Sequence, residues 1–144
     1  MSDIDEISLA VRAAKDHTDL PVITTMTFDK GPRGFFTMMG VTPEFAAEKL
    51  TELGADIVGS NCGLAIEAMI EIIRAMRSAT DRPILTHINA GIPTLIKGDI
   101  VHPDTPALMA ERIPEMVQAG ANIVGGCCGT NAEHIRAFAK QLKS

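Results

Sequence analysis

The sequence predicts an α/β fold of four β/α units with parallel strands. Three observations point to it. Helix-like and strand-like patterns alternate from one end of the chain to the other. The second, third and fourth strand-like runs end at a cysteine, an asparagine and a pair of cysteines. The side chains with the most chemistry to offer, Cys62, Asn89, Cys127 and Cys128, all follow the C-terminal ends of those runs.

The elements follow in order. Asp3 with Glu6 has the form of a capping box, in which side chain and backbone amides satisfy each other, and it opens a helix predicted through about Lys15. "PVITTMTF" (Pro21–Phe28) is rich in β-branched residues, whose stiff side chains suit a strand. Thr42-Pro43-Glu44 begins a second helix, with Thr42 as N-cap and Pro43 at the first helical position, and Gly54 ends it. "ADIVGSN" (Ala55–Asn61) is the next strand and runs into Cys62. Ile66, Met69, Ile70, Ile73 and Met76 then recur at the spacing of one buried helix face. "PILTHI" (Pro83–Ile88) is the third strand, followed by a long loop from Asn89 to Asp104. Thr105-Pro106 opens a helix that Pro114 is expected to kink, with Gly120 beyond its end. "ANIVGG" (Ala121–Gly126) is the fourth strand, and Thr130 with Glu133 forms a T-x-x-E box opening a last helix to about Leu142.

Strands that alternate with helices pair in parallel through right-handed crossovers. The four units occupy 144 residues, whereas a closed eight-stranded barrel takes roughly 250. The chain therefore reads as one domain, residues 1–144, that is either half of a TIM (β/α)8 barrel or a small open sheet. An open doubly wound sheet binds its ligand at a switch point, often through a glycine-rich loop after the first strand. Here that loop reads "DKGPRGFF", without G-x-G-x-x-G. Reactive residues at successive strand ends fit the barrel arrangement instead. The half barrel is the preferred reading.

Composition narrows the function. A net charge of −5 gives no basic footprint for nucleic acid. No apolar run approaches the roughly 18 residues of a membrane span. The acidic, then amphipathic start "MSDIDEISLAVRAAKD" is unlike a secretory signal. Three cysteines, an odd number, suit a reducing cytoplasmic setting.

If the strands are parallel neighbours, Cys62 and the pair Cys127-Cys128 meet on one rim despite their separation in sequence. Consecutive strand residues ordinarily point to opposite faces, but Gly125, Gly126 and Gly129 free the backbone to turn both thiols inward. Three thiolates form a strong ligand set for Zn²⁺, and a fourth, open position is the mark of a catalytic site. Two other readings stand beside this one: buried cysteines packing as small apolar groups, and a vicinal disulfide or redox switch. His17 and His134 are expected on helix surfaces, His87 as a satisfied core histidine near a strand end, and His102 in a solvated loop. The methionines are expected in the core, Met38-Met39 being the least certain.

"GSNC" (Gly59–Cys62), "NAGIP" (Asn89–Pro93) and "GGCCGTNAEHI" (Gly125–Ile135), in that order and spacing, resemble the homocysteine-binding domain of the zinc-dependent homocysteine S-methyltransferases. That family includes the N-terminal module of cobalamin-dependent methionine synthase and the betaine and S-methylmethionine enzymes. The resemblance runs from about Leu20 to Leu142, and Phe28 to Gly40 looks closest to the methionine-synthase branch. It implies that Cys62, Cys127 and Cys128 are the zinc ligands and catalytic centre. Asn89 is implied as a substrate contact or weak fourth ligand. It also implies that the chain matches the second half of the family's barrel, without the segments that hold the amino-acid part of homocysteine.

The implied reaction is methyl transfer to the thiol of homocysteine, giving methionine. A free thiol titrates near ~8.5 and is a poor nucleophile at neutral pH; a metal favours its thiolate. Three cysteine ligands leave negative charge on a fourth sulfur, which a neutral three-histidine site would withdraw. The methyl donor, methylcobalamin or methyltetrahydrofolate, is expected from another domain or a corrinoid protein, because no D-x-H-x-x-G signature is present. Half a barrel leaves unpaired edges and an apolar interior, so a homo-oligomer or a separate N-terminal half-barrel chain is expected. The alternatives are a methyltransferase for another thiol, or an inactive zinc-binding, thiol-sensing module acting through a partner.

Overall fold

Alternation of helix and strand holds throughout the computed structural model, which describes residues 1–143. The first unit is α1 (Ile4–His17) with β1 (Ile23–Met26), followed by a hairpin of β2 (Asp29–Gly31) and β3 (Gly34–Phe36). Then come α2 (Pro43–Glu52), β4 (Ile57–Asn61), α3 (Ile66–Arg77) and β5 (Ile84–Ile88). A second hairpin, β6 (Thr94–Ile96) and β7 (Asp99–Val101), precedes α4 (Pro106–Gln118), β8 (Ile123–Gly126) and α5 (Ala132–Lys143).

The main sheet runs β1-β4-β5-β8, with every pair parallel. Each strand lies beside the next in sequence, so the order never reverses and no switch point forms. The helices accordingly make one continuous layer, in which α1 packs on α2, α2 on α3, α3 on α4 and α4 on α5. That single-sided winding is what a segment of a (β/α)8 barrel requires, and it separates this chain from a doubly wound sheet.

The two faces of the sheet differ accordingly. Met26, Val58, Ile84 and Ile88 face the helices and join a buried core with Met69, Ile73, Met109, Ile113 and Phe138. The alternate positions face the other way: Ile23 pairs with Ile57 and Leu85 with Ile123 in register. None of these four belongs to the helix-side core, and Ile23 and Ile123 are 51% and 39% exposed. In a closed barrel this row would fill the interior. Among the described residues the outer edge of β1 is met by Met1, whose amino group donates to Thr25 O (3.2 Å) and whose carbonyl accepts from Thr27 N–H (3.0 Å). A groove of about 330 Å³ opens beside it, lined by Met1, Ile7, Val11, Val22, Ile23 and Thr25.

The predicted N-caps Asp3, Thr42 and Thr105 hold, each accepting from backbone amides of the first turn. The last helix differs. Asn131 caps it, accepting from Glu133 N–H (3.0 Å) and His134 N–H (3.3 Å), while the Thr130 hydroxyl turns back to Cys127 O (2.7 Å). A T-x-x-E pattern gives way to the asparagine because Thr130 is drawn into the cysteine turn. Both hairpins fall in stretches predicted as loops. The second has the two-residue turn Lys97-Gly98, with φ of 53° and 93°, the left-handed pair that matches strand twist. No helix among the described residues is long and apolar enough to cross a membrane.

Candidate metal centre

The site lies where β4, β5 and β8 end. Cys62, just past β4, is a non-glycine residue with φ of 60°, a left-handed conformation that costs about 1–2 kcal/mol. Such strain, held in place by its surroundings, is frequent at functional positions. Gly63 follows with φ of 75°, so close to the end of β1 that a Cβ there would stand 2.7 Å from Phe28 O. The turn is fixed from both sides: Cys62 N–H donates to His87 O (3.0 Å) and Leu64 N–H to Cys62 O (3.0 Å).

The vicinal pair is fixed in the same way. Cys127 N–H donates to Ile88 O (2.8 Å), continuing the sheet by one bond past β8. Cys128 N–H donates to the side-chain Oδ1 of Asn89 (3.1 Å), and Ala90 N–H to Cys128 O (2.9 Å). Thr130 closes the turn with both its N–H and its hydroxyl on Cys127 O. Gly129, at φ of 77°, gives the reversal, and a Cβ there would overlap the ring of His102. Cys127 and Cys128 thus leave the strand alternation and aim at one region, the outcome the glycine pattern predicted.

Cys62 Sγ lies 3.5 Å from Cys128 Sγ, Cys128 Sγ lies 3.9 Å from Cys127 Sγ, and all three are within 4.8 Å of one another. Tetrahedral coordination at Zn–S of about 2.3 Å puts sulfurs roughly 3.8 Å apart. The observed triangle needs little adjustment to hold such an ion. All three thiols are free, two of them half-buried and Cys128 exposed, so a face of the cluster stays open to a further ligand.

Ionisation is unequal across the cluster. Burial opposes the Cys62 thiolate, but the Gly63 N–H, then the Cys128 and Cys127 thiols and the Asn89 amide, outweigh it and hold its pKa below the usual thiol value. Burial, followed by the neighbouring Cys62 sulfur, pushes Cys127 up to about 11. Cys62 is thus the more readily ionised of the two, and its sulfur disfavours the Cys127 thiolate.

Asn89 is buried at 5% exposure and spends its Oδ1 on the Cys128 amide, so it shapes the vicinal cysteine turn as well as bordering it. Histidines depart most from expectation. His134, expected on the surface, is buried, with Nε2 donating to Asp104 O (3.1 Å) and Nδ1 2.9 Å from Asn131 Oδ1. It ties the start of α5 to the end of the loop that follows β5. His102, expected to be solvated, packs its ring over Gly129 with Nδ1 3.4 Å from Gly91 O. His87, expected as a satisfied core residue, is half-buried on the face away from the helices. The N-x-x-H spacing of Asn131 and His134 was the one readable signal among these. Met38 and Met39 are exposed, whereas Met26, Met69, Met76, Met109 and Met116 are fully buried.

Known proteins share this fold. Betaine–homocysteine S-methyltransferase 1 of Danio rerio is 31% identical over 158 residues, a match covering 98% of this chain and 38% of that protein. The metallated form of the homocysteine methyltransferase MmuM from Escherichia coli superposes with a TM-score of 0.75 at 18% identity, over 100% of this chain and 43% of that one. Its apo form gives 0.74 at 18% identity, over 97% and 47%. At that identity the structures speak for the fold, that of homocysteine methyltransferases. The chain spans less than half the length of each of these proteins. The match to the family described as homocysteine S-methyltransferase covers residues 1–142, taking in α1 as well as the motif-bearing strands, and the chain belongs to that family.

Proposed function

We propose that residues 1–144 form one unit, the zinc-bearing half of a catalytic domain that transfers a methyl group to the thiol of homocysteine. The observation that carries this reading is the convergence of three sulfurs, from two strands separated by a third, within 4.8 Å of one another. Cys62, Cys127 and Cys128 are the ligands. When bound, zinc supplies a positive charge that keeps an incoming thiol ionised at neutral pH. The chain's own residues do the rest. The backbone bonds to His87 and Ile88 fix where the sulfurs stand, Asn89 orients Cys128 and borders the entering thiol, and the exposed side of Cys128 leaves the approach open. Displacement then proceeds in line: the thiolate's electron pair forms the S–CH₃ bond as the donor's bond to that methyl breaks, and methionine leaves. The donor, methylcobalamin or methyltetrahydrofolate, comes from another domain or a corrinoid protein. Reduced thiols at the centre suit the cytoplasm.

The open interior row and the free edge of β1 support a second part of the reading. The chain works with a complementary surface, either a separate N-terminal half-barrel or a second copy, that pairs with β1 and covers Ile23, Ile57 and Ile123.

Metal analysis followed by X-ray absorption at the zinc edge, with and without homocysteine, tests the reading. One zinc per chain, gaining a sulfur neighbour on adding homocysteine, is the expected result. Zinc without that change would leave a metal-binding module, and no zinc would refute the assignment.

A further inference from the structure

His102 takes no part in the chemistry above, yet its half-buried ring has a built seat beside the vicinal cysteines. It lies over Gly129 so closely that a Cβ there would overlap Cγ and Nδ1 and stand 2.6 Å from Cδ2. Three ties hold it there. Nδ1 is 3.4 Å from Gly91 O. Pro103, next in the chain, restricts the backbone of His102 to extended conformations, and packs against Gly91 so tightly that a Cβ on that glycine would stand 2.7 Å from the proline Cγ. Asp104 then donates its N–H to Ala90 O (3.2 Å), and its carbonyl accepts from His134 Nε2 (3.1 Å). Ala90 in turn donates to Cys128 O (2.9 Å). The segment that carries the ring is thus bonded to the turn that the ring covers.

Between these ties the chain makes an excursion, residues 92–101, that leaves the rim and returns to it. All six residues of β6 and β7 are exposed, and none belongs to the helix-side core. A two-stranded hairpin alone is marginal in water, so the order of this strap comes from its base at Gly91, His102, Pro103 and Asp104. Gly129 is where such a prop matters. Its φ of 77° makes the reversal after Cys128, and glycine has more competing backbone conformations than any other residue. A ring standing where the Cβ would be removes alternatives that the missing side chain leaves open.

We propose that His102 is a positioning residue for the metal centre. By packing on Gly129 it holds the Cys127-Cys128 turn in the shape that brings Cys128 Sγ to 3.5 Å from Cys62 Sγ, and the β6–β7 strap delivers it. The ring acts by its shape, not through a nitrogen. The metal here rests on the proposed function; the shape of the turn does not.

Residue-resolved amide hydrogen exchange on the metal-free protein reads the turn directly. In His102→Ala the amides of Cys128 and Thr130, bonded to Asn89 Oδ1 and Cys127 O, are expected to exchange about tenfold faster through easier local opening. The Cys62 amide, bonded to His87 O, keeps its rate. Zinc affinity, measured by chelator competition, is expected to fall about tenfold, the low end for groups that support metal ligands. His102→Phe keeps a ring without nitrogens in the same seat and should restore both readouts to within about threefold. Where the alanine variant fails to fold, His102→Thr takes its place. Unchanged exchange, acceleration spread evenly over the sheet, unchanged zinc affinity, or a phenylalanine variant as impaired as the alanine one overturns the proposal. A parent protein that binds no zinc sinks the proposed function, and the exchange rates alone then decide whether His102 holds the turn.

Discussion

Removing the Asn89 side chain isolates how much of the metal site is built by its supporting shell. In Asn89→Ala the Cys128 N–H loses its acceptor at 3.1 Å, in a setting where residue 89 is 5% exposed and water has little access. An unsatisfied buried donor costs about 1–3 kcal/mol. If that cost falls on the geometry of the vicinal turn, zinc affinity drops by about fivefold to about 150-fold, at roughly 1.4 kcal/mol per decade. The range coincides with the ~10–100-fold losses found when groups supporting a metal's ligands are removed. Competition against a chromophoric chelator measures the affinity, and thermal unfolding of the metal-free protein separates a general loss of stability from a local one. A folded Asn89→Ala that binds zinc within twofold of the parent would refute the claim that Asn89 holds Cys128 in place.

Cys127→Ser is expected to abolish stoichiometric zinc, read by metal analysis; full occupancy would count against the ligand set. Gly63→Ala places a Cβ 2.7 Å from Phe28 O at φ of 75°, and should cost about 1–3 kcal/mol in denaturant unfolding while weakening zinc binding through Cys62. The titration of Cys127 sets a direction with pH. Its folded-state pKa of about 11 stands above the ordinary 9.0, so the protonated thiol stabilises the metal-free fold below pH 9, and that contribution is lost as pH rises towards 11. Zinc must displace this proton, so apparent zinc affinity should climb with pH over the same interval, and calorimetry at neutral pH in buffers of different ionisation enthalpy should detect proton release. An affinity flat with pH would exclude Cys127 as a ligand. Finally, Ile23→Lys, on the uncovered interior row, should reduce association with a second copy or a complementary half, read by light scattering; unchanged association would place the contact elsewhere.

Much of this was readable before any coordinates, for identifiable reasons. Strand positions followed from β-branched runs, and three helix starts from Asp3, Thr42 and Thr105, because caps and apolar periodicity are local signals. The convergence of Cys62 with Cys127 and Cys128 is non-local, yet parallel topology dictates it once the strand order is sequential. What escaped was whatever depends on a neighbour distant in sequence. His134 looks like a polar residue on an amphipathic helix until Asp104 O and Asn131 arrive beside it. His87 sits in an apolar strand and reads as core. Only the register with Gly125 shows that its ring belongs to the opposite face. Both hairpins escaped because three-residue strands carry too little alternation to separate from loop, although Lys97-Gly98 offered a turn signal. Left-handed Cys62 had no signature, since a cysteine does not announce a positive φ as a glycine does.

A deeper regularity explains how half a barrel can present the three sulfurs ready-placed. Neither sulfur-bearing turn depends on the other strand's side chains for its shape. Both hang from the backbone of β5 and the residues just past it, which bring no sulfur: His87 O takes the Cys62 amide, Ile88 O the Cys127 amide, and Ala90 N–H donates to Cys128 O. The middle strand is thus the ruler that sets the spacing between a left-handed turn on one side and a glycine-relieved turn on the other. The helix-side core packs against β4 and β5 and reaches none of the three sulfurs, so the ruler is held by burial independent of any ion. The strain at Cys62 is borne by that same packing, with Gly63 wedged against Phe28 O. A cation arriving at such a site does not have to order the chain first. Under the proposed function, its binding energy would go into displacing the thiol protons and not into ordering the turns.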